Sequence, residues 1–253
     1  MRYCPVLIRT ASFGKLCGSW SIKRDDAFVW RGILDPTCVC DDVVSASHRL
    51  ADAAKEGDWS TVFGLLDNPE QRLDVNWWRP GGSAWFTPLH QAAWHGAPID
   101  VVVELMARGA LRSVADSRRR TPYGVYLARA KAKGIAHKAN PMARELLKPP
   151  PSPMPTEQVR ALDRHLTAVI DGRIRGVLVN DPRKVLRYPP VGILHEVPGQ
   201  QLWFPVPGMY GGFHIVLRDD HLDVRSWCRV AGGSGQAHQV TDEGATLVDE
   251  GFV

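Results

Sequence analysis

Apolar residues recur at helical spacing in two stretches in the middle of the chain, thirty-nine residues apart. The second stretch begins at Thr87, a good N-cap, followed by Pro88 at the first helical position, where a missing N–H costs nothing. Each stretch contains a glycine, Gly57 or Gly96, at which its first helix is expected to end. The pattern predicts two helix–turn–helix units, each with one buried face. The matched apolar positions are Leu50, Ala53, Ala54, Val62, Phe63 and Leu66 in the first and Leu89, Ala92, Ala93, Val101, Val102 and Leu105 in the second.

A third unit of the same kind opens at Thr121-Pro122, thirty-four residues after the start of the second. Its pattern is weaker, because Gly124 stands where the second unit has a histidine and Tyr126-Leu127 replaces the alanine pair. Asn140-Pro141 begins a further helix by the same combination of cap and proline. Since a terminal repeat has to cover the end of a stack, we interpret this third unit as a capping unit.

The run Thr87-Pro88-Leu89-His90-Gln91-Ala92 resembles the signature of the ankyrin repeat family. The resemblance implies a short ankyrin-repeat α-solenoid over residues 45–148, with about three units. It also implies a structural His90 whose ring hydrogen-bonds near the threonine of the turn, as buried polar groups generally do. The first two units lie further apart than the usual ~33 residues because segment 77–86 lengthens the loop between them. Ankyrin repeats are binding scaffolds, so the resemblance implies a protein-binding function.

After the repeats, the proline-rich segment 149–155 predicts a stiff linker and a domain boundary. A helical stretch starts at Thr156 and ends at Asp171-Gly172, and short strand patterns follow between turn signals. The predicted strands are 174–179, 191–197, 201–206, 213–218, 222–230 and 237–241. The sequence therefore predicts an α+β two-domain protein, in which the solenoid is followed by a helix plus antiparallel β-meander module at 156–253.

The N-terminal residues 1–44 show no sustained periodicity, so we predict a poorly ordered extension with at most one short strand, around 27–30. A start codon assigned upstream of a true start near Val43 would produce such a stretch, and a short recruitment arm is the alternative. Without a packing role, the extension is expected to be dispensable for stability.

Composition narrows the class of protein. A hydrophobic fraction of 44% and a charged fraction of 23% are typical of a globular protein, and no apolar run approaches the length of a membrane span. We therefore expect a cytoplasmic protein with no membrane partner, and the excess of arginine over lysine favours a bacterial source. The 5 cysteines are an odd number with no Cys-x-x-Cys pair, which predicts reduced thiols, no metal site and no cofactor.

The most unusual feature of the repeat region is its tryptophans. Trp and Tyr dominate binding hot spots, and in ankyrin stacks the loop tips and first-helix surfaces grip the partner. The predicted partner-binding residues are Trp77, Trp78, Arg79, Trp85, Phe86, Trp94 and His95. The alternative is that these tryptophans pack onto the C-terminal domain of the same chain.

Charge is unevenly distributed. Residues 108–148 carry eleven Lys or Arg and two acids, whereas the segment from Asp219 onward carries seven acids and two bases. Opposite charges predict that the two domains dock on each other. The basic patch is Arg118, Arg119, Arg120, Arg129, Lys131, Lys133 and Lys138. It lacks a recognised nucleic-acid reader motif, so we expect no nucleic-acid partner.

Candidate chemistry is sparse. Ser234 and His238 are the one nucleophile–base pair that can be assembled, with no acid to orient it. The run Gly232–Gly235 lies between strands and lacks the following helix of a phosphate-binding loop. We therefore predict a non-enzymatic adaptor that binds another protein. The alternatives are an enzyme with its active site in the C-terminal module and the repeats for substrate recruitment, and an immunity or antitoxin protein that inhibits an enzyme.

Overall fold

The computed structural model describes residues 27–71, 73–134, 140–175, 181–228 and 233–251. These residues form eight α-helices and a six-stranded mixed sheet, which makes the protein mixed α/β. The chain divides into two compact units, one formed by residues 41–151 and one formed by the segments on either side of it. We call the first the helical unit and the second the sheet unit. None of the described helices combines the length and the apolar character needed to cross a membrane.

The helical unit consists of three successive helix pairs. Its helices are α1 (Asp41–Glu56), α2 (Trp59–Leu66), α3 (Pro88–His95), α4 (Ile99–Ala107), α5 (Pro122–Ala132) and α6 (Pro141–Leu147). The first helices of successive pairs pack side by side, α1 against α3 and α3 against α5, and α4 packs against α6. The predicted caps are present: Thr87 forms a capping box with His90, and the side chains of Thr121 and Asn140 accept backbone N–H bonds.

In the second helix pair, α3 and α4, the apolar face predicted from the sequence is the buried face. Leu89, Ala92 and Ala93 on α3 and Val102 and Leu105 on α4 are each at most 1% exposed. The small side chains of the two alanines allow neighbouring helices to pack close to α3. Gly96 ends α3 with φ of 62°, and a Cβ there would lie 2.6 Å from the guanidinium of Arg129. The left-handed conformation is what requires a glycine at that position, since the Arg129 guanidinium is the far end of a flexible side chain and can shift.

The sheet unit is built on a continuous meander. Its strands are β1 (Phe28–Val29), β2 (Gln201–Val206), β3 (Gly211–Leu217), β4 (Leu222–Cys228), β5 (Ser234–Val240) and β6 (Ala245–Gly251), in that spatial order. Strand β1 runs parallel to β2, and all later neighbours are antiparallel. The long helix α7 (Thr156–Ile174) packs on β5 and β6, and the short α8 (Pro182–Val185) lies between α7 and the sheet in sequence.

The prediction of a poorly ordered segment 1–44 is wrong for residues 27–44, while residues 1–26 lie outside the described part of the chain. Strand β1 pairs with β2, Trp30 and Ile33 are each 2% exposed, and α1 begins at Asp41. The indole N–H of Trp30 donates to the carbonyl oxygen of Arg187 at 2.7 Å, and the Arg187 guanidinium lies over the indole ring. The short strand predicted around 27–30 is confirmed as β1, whereas the isolated apolar anchors Trp30 and Ile33 leave no period in the sequence, because their order comes from distant residues.

The strand predictions are correct in the middle of the module and wrong on either side. Four of the predicted strands correspond to β2, β3, β4 and β5. Segment 191–197 instead contains the 3₁₀ helix Val191–His195, and Ile174 is the last residue of α7, with residues 176–180 outside the described part. Strand β6 was not predicted, because its sequence places an acidic pair directly after Leu247-Val248 rather than in alternation.

The cysteine expectation also needs a correction. Cys38 and Cys228 are buried and not disulfide-bonded, as predicted for reduced cysteines. Cys40, however, is disulfide-bonded. An odd total of cysteines leaves at least one thiol unpaired but does not exclude an individual bond.

Candidate functional site

The aromatic residues predicted to bind a partner differ widely in exposure. Trp77 and Trp78 are buried, at 5% and 2% exposure. Trp85 and Phe86 are half-buried, and the Phe86 ring stacks on His90 with 5.4 Å between ring centroids. Because a hot-spot side chain needs free surface in the unbound protein, the loop 77–86 offers less of it than the sequence suggested.

The polar residues of the same loop are tied to the first helix. Arg79 forms an ion pair with Asp52 of α1, and the ring Nε2 of His48 lies 3.1 Å from the carbonyl oxygen of Pro80. Both bonds hold the loop against α1 within the helical unit. Arg79 is therefore engaged in the fold as well as exposed to solvent.

Trp94 is the most exposed of the predicted aromatic contacts, with 48% of its surface accessible. It lies in the last turn of α3, the middle one of the three first helices. Its neighbour His95 is exposed but anchored, since its Nε2 lies 2.8 Å from the carbonyl oxygen of Lys55 and its ring meets that of Trp59 edge-on. The carbonyl oxygen of His95 also accepts a bond from Arg129 Nη2 at 2.8 Å. His95 thus connects three helix pairs, and Trp94 provides the free aromatic surface.

His90 is structural, in agreement with the sequence interpretation. It is fully buried, and its Nδ1 lies 2.8 Å from Thr87 Oγ1. Its Nε2 lies 3.2 Å from the carbonyl oxygen of Arg120, just before the third helix pair. Asn76 plays a comparable role that sequence reasoning missed. Its amide donates to the carbonyl oxygen of Gly109 at 2.8 Å and accepts from the N–H of Leu111 at 2.7 Å. The only sequence feature that marked Asn76 was its position at the end of the first predicted repeat, in the segment Leu73–Asn76.

The basic patch contains both anchored and exposed residues. Arg120 forms an ion pair of 2.7 Å with Asp116, a carboxylate buried to 3% exposure, and Arg129 is anchored on His95. Asp116 Oδ1 also accepts the backbone N–H groups of Arg118 and Arg120, each at 2.8 Å. Burial opposes ionisation of Asp116, but these bonds outweigh it and lower the pKa. The exposed members are Arg118, Arg119, Lys131 and Lys133, and Lys138 lies outside the described residues.

In the sheet unit, the structure does not bring Ser234 and His238 together. Both lie on β5, four residues apart, so at about 3.3 Å per residue their Cα atoms are roughly 13 Å from each other. A nucleophile and its base must instead lie within hydrogen-bond distance. The two residues therefore cannot act as a catalytic pair in this conformation.

Arg173, near the end of α7, is a half-buried cation that sequence reasoning missed. Its Nε donates to Ser226 Oγ at 3.0 Å, and its Nη2 donates to the backbone oxygen and the Oγ of Ser234 at 2.6 and 2.7 Å. Burial, and secondly the charge of Arg173, lower the pKa of His238, so this imidazole is neutral at pH 7. The sequence showed Ser226 only as a small residue at an inward position of a strand.

A second set of polar side chains forms hydrogen bonds with Asp163 and Asp171 of α7. Tyr188 donates to Asp171 Oδ1 at 2.7 Å, and Arg183 donates to Oδ2 of the same carboxylate at 2.5 Å. Burial, followed by the bond to Asp171, raises the pKa of Tyr188, so its hydroxyl stays protonated and remains a donor. Asp163, whose pKa is raised by burial, accepts the N–H of Val191 at 2.7 Å. These bonds join α7 to the segment before β2 and serve the fold.

Within the described ranges, no group of three or more His, Cys, Asp or Glu side chains is arranged to hold a metal ion. Two candidate binding sites are carried forward: the surface around the exposed Trp94 in the helical unit and the cluster around Arg173 in the sheet unit. In comparisons with known proteins, no family model matches this chain, and no curated protein matches it either.

Proposed function

We propose that the protein is a non-enzymatic adaptor whose helical unit is a short ankyrin-repeat scaffold that binds another protein. The observation that carries the proposal is Trp94, a large aromatic side chain 48% exposed on the middle helix pair. An exposed indole contributes little to the fold of a free protein, but it buries a large area at low entropic cost in a complex.

The scaffold beneath Trp94 has the rigidity that a preorganised binding surface requires. Side chain to backbone bonds run between successive helix pairs: Asn76 bonds Gly109, His90 bonds Arg120, and Arg129 bonds the carbonyl oxygen of His95. The spacing of these partners, 30 to 34 residues, is close to the repeat period of the proposed family. A surface that is ordered before binding loses less entropy on association.

Charge indicates the kind of partner. Helix α5, which packs beside α3, ends with the exposed Lys131 and Lys133, and Arg118 and Arg119 are exposed in the turn before it. A rim of positive charge accelerates encounter with an acidic protein surface and disfavours basic ones. We therefore propose a protein partner with an acidic surface around an apolar pocket that accepts Trp94.

The test is affinity capture followed by measurement with Trp94→Ala. The partner is first captured from a native lysate with the unmodified chain, and its Kd is then measured for both forms. If Trp94 anchors the interface, the substitution should weaken binding by at least ~2 kcal/mol, about 30-fold, and leave the melting temperature unchanged.

Val103→Ala is the matched control, since Val103 is 46% exposed on α4 and lies outside the proposed surface. It should change the Kd less than threefold. Equal affinity of the unmodified chain and Trp94→Ala would contradict the assignment of Trp94, and loss of the fold would show that Trp94 is part of the core.

Two alternatives remain distinguishable. An enzyme in the sheet unit would need a reactive pair other than Ser234 and His238, which lie too far apart on β5. An immunity or antitoxin protein would capture an enzyme and abolish its activity in stoichiometric amounts, whereas an adaptor would leave it active. The charge-based expectation that the two domains dock on each other stays a prediction.

A further inference from the structure

The cluster of Arg173, Ser226, Ser234 and His238, which we call the Arg173 cluster, lies on one face of the sheet. Cross-strand pairing places Ser234 opposite Cys228 and His238 opposite Val224. Because side chains alternate along a strand, Ser226, Ser234 and His238 all point to this face. Arg173 reaches the two serines from α7 and so contacts two strands at once, β4 and β5.

Among the described residues, only part of the donor capacity of the Arg173 guanidinium is satisfied. Ser226 and Ser234 accept from Nε and Nη2, whereas no acceptor for Nη1 is present among the described residues. The same residues provide no carboxylate within ion-pair distance of Arg173. A half-buried cation without a counter-charge is costly, because neutral hydroxyls replace only part of its hydration.

The two serines add hydroxyl donors beside the guanidinium of Arg173. Each hydroxyl oxygen accepts from Arg173, so its own hydrogen is directed elsewhere and can be donated. Ser226 is 2% exposed, whereas Ser234 is half-buried and accessible to a bound molecule. Because Ser234 Oγ lies 2.7 Å from Nη2 of the same guanidinium, its hydroxyl and the Nη1 amino group are close enough to donate to one oxyanion.

The local charge favours a monoanion. His238 is uncharged, and its buried Nδ1 has no partner among the described residues. Glu250 lies on β6, opposite Gln236 of β5, and its carboxylate accepts from the Gln236 amide at 2.7 Å. One guanidinium and one carboxylate lie in the neighbourhood. The Glu250 carboxylate repels a dianion such as phosphate more strongly than it repels a monoanion.

We propose that the Arg173 cluster binds the carboxylate group of a small monocarboxylate ligand, with Arg173 Nη1 and the Ser234 hydroxyl as its donors. The site lies in the sheet unit and is independent of the adaptor function proposed for the helical unit. His238 provides a neutral imidazole on the same face for the remainder of the ligand.

The test is a titration of the full-length protein with acetate, followed by NMR of the arginine side-chain Nε–Hε signals at constant ionic strength. The Arg173 signal should move and saturate with a Kd of roughly 1–10 mM, as expected for a ligand of four heavy atoms. Ser234→Ala should weaken acetate binding by about three- to tenfold, because it removes one of two donors while the Ser234 carbonyl oxygen still accepts from Arg173 Nη2. Arg173→Lys, which keeps the charge but loses the planar fork, should abolish the saturable shift of the Ser234 backbone amide signal, which is followed in the same titration.

Arg164→Gln is the matched control, since Arg164 is exposed on the same helix. It should bind acetate as the unmodified protein does. A linear, unsaturable shift of the Arg173 signal, or an unchanged Kd in Ser234→Ala, would overturn the site. Inorganic phosphate that binds tighter than acetate would overturn the choice of a monocarboxylate.

Discussion

Replacing Trp30 with alanine is expected to destabilise the sheet unit by about 3–5 kcal/mol. The indole is 2% exposed, its N–H donates to the carbonyl oxygen of Arg187, and the backbone N–H of Trp30 donates to Trp203 at 2.8 Å. The substitution removes a large buried apolar surface and leaves the Arg187 carbonyl without this donor. The same reasoning reverses the sequence expectation that the N-terminal segment is dispensable, since β1 and Trp30 both precede Asp41.

Urea denaturation followed by circular dichroism measures the loss, with hydrogen exchange of β2 and β3 as a local readout. Trp94→Ala is the control, because it makes the same substitution at an exposed tryptophan. It should lower the free energy of unfolding by under ~0.5 kcal/mol. Protection of β2 that is equal in Trp30→Ala and the unmodified chain would mean that the N-terminal segment does not support the sheet.

The sequence predicted those parts of the fold that are encoded locally. Amphipathic period and caps placed both ends of α3 and the start of α5 within one or two residues, because Thr-Pro starts and a glycine stop act on their own neighbours. Strand β2 was predicted with its observed bounds, Gln201–Val206, since turn residues flank it on both sides. Such signals do not depend on which other element packs against the segment.

Elements stabilised by distant residues were not predictable in this way. Strand β1 was predicted only as an isolated short strand around 27–30, and its pairing with β2, some 170 residues later, left no signal in the sequence. Strand β6 is exposed along its whole length, so no apolar alternation marks it. Val191–His195 has the composition of a strand but is held in a 3₁₀ turn, with the N–H of Val191 bonded to Asp163.

The candidate sites show the same division. Trp94 was identified from its position between the alanine pair and Gly96, which is a local signal. The partners of Asn76 and Arg173 lie 33 to 61 residues away, and neither residue type is unusual in its sequence context. The burial of Trp77 and Trp78 was equally beyond a local pattern, because composition reports the size of a side chain and not its exposure.

Replacing Asp116 with alanine is expected to destabilise the third helix pair by about 3 kcal/mol. The carboxylate accepts the backbone N–H groups of Arg118 and Arg120 and pairs with the Arg120 guanidinium. Three donors therefore lose their acceptor at once, each worth about 1 kcal/mol. Arg120 also provides the carbonyl oxygen that meets His90, so the loss of order should extend to the contact between the second and third pairs.

Asp116→Asn removes the charge of the side chain but keeps its shape. The pH dependence of stability then shows whether the ionised carboxylate stabilises or destabilises the fold. The folded pKa of Asp116 lies below the ordinary aspartate value of about 3.9, so its contribution is fully present above that value. As pH falls through 3.9 toward the lower folded pKa, the contribution is lost. Hydrogen exchange of α5, corrected for intrinsic rates, should show protection that falls more between pH 5 and 3 in the unmodified chain than in Asp116→Asn.

Asp67→Ala is the matched control, because Asp67 is an exposed aspartate paired with Arg108 and should cost under ~1 kcal/mol. If Asp116→Ala costs no more than Asp67→Ala, the turn before α5 is held by its backbone alone. If protection of α5 instead rises as the pH falls, the ionised carboxylate opposes folding, and the ion pair with Arg120 does not compensate for its burial. The expected order of stability in α5 at pH 7 is unmodified chain, Asp116→Asn, then Asp116→Ala, because asparagine retains an acceptor for the two backbone donors.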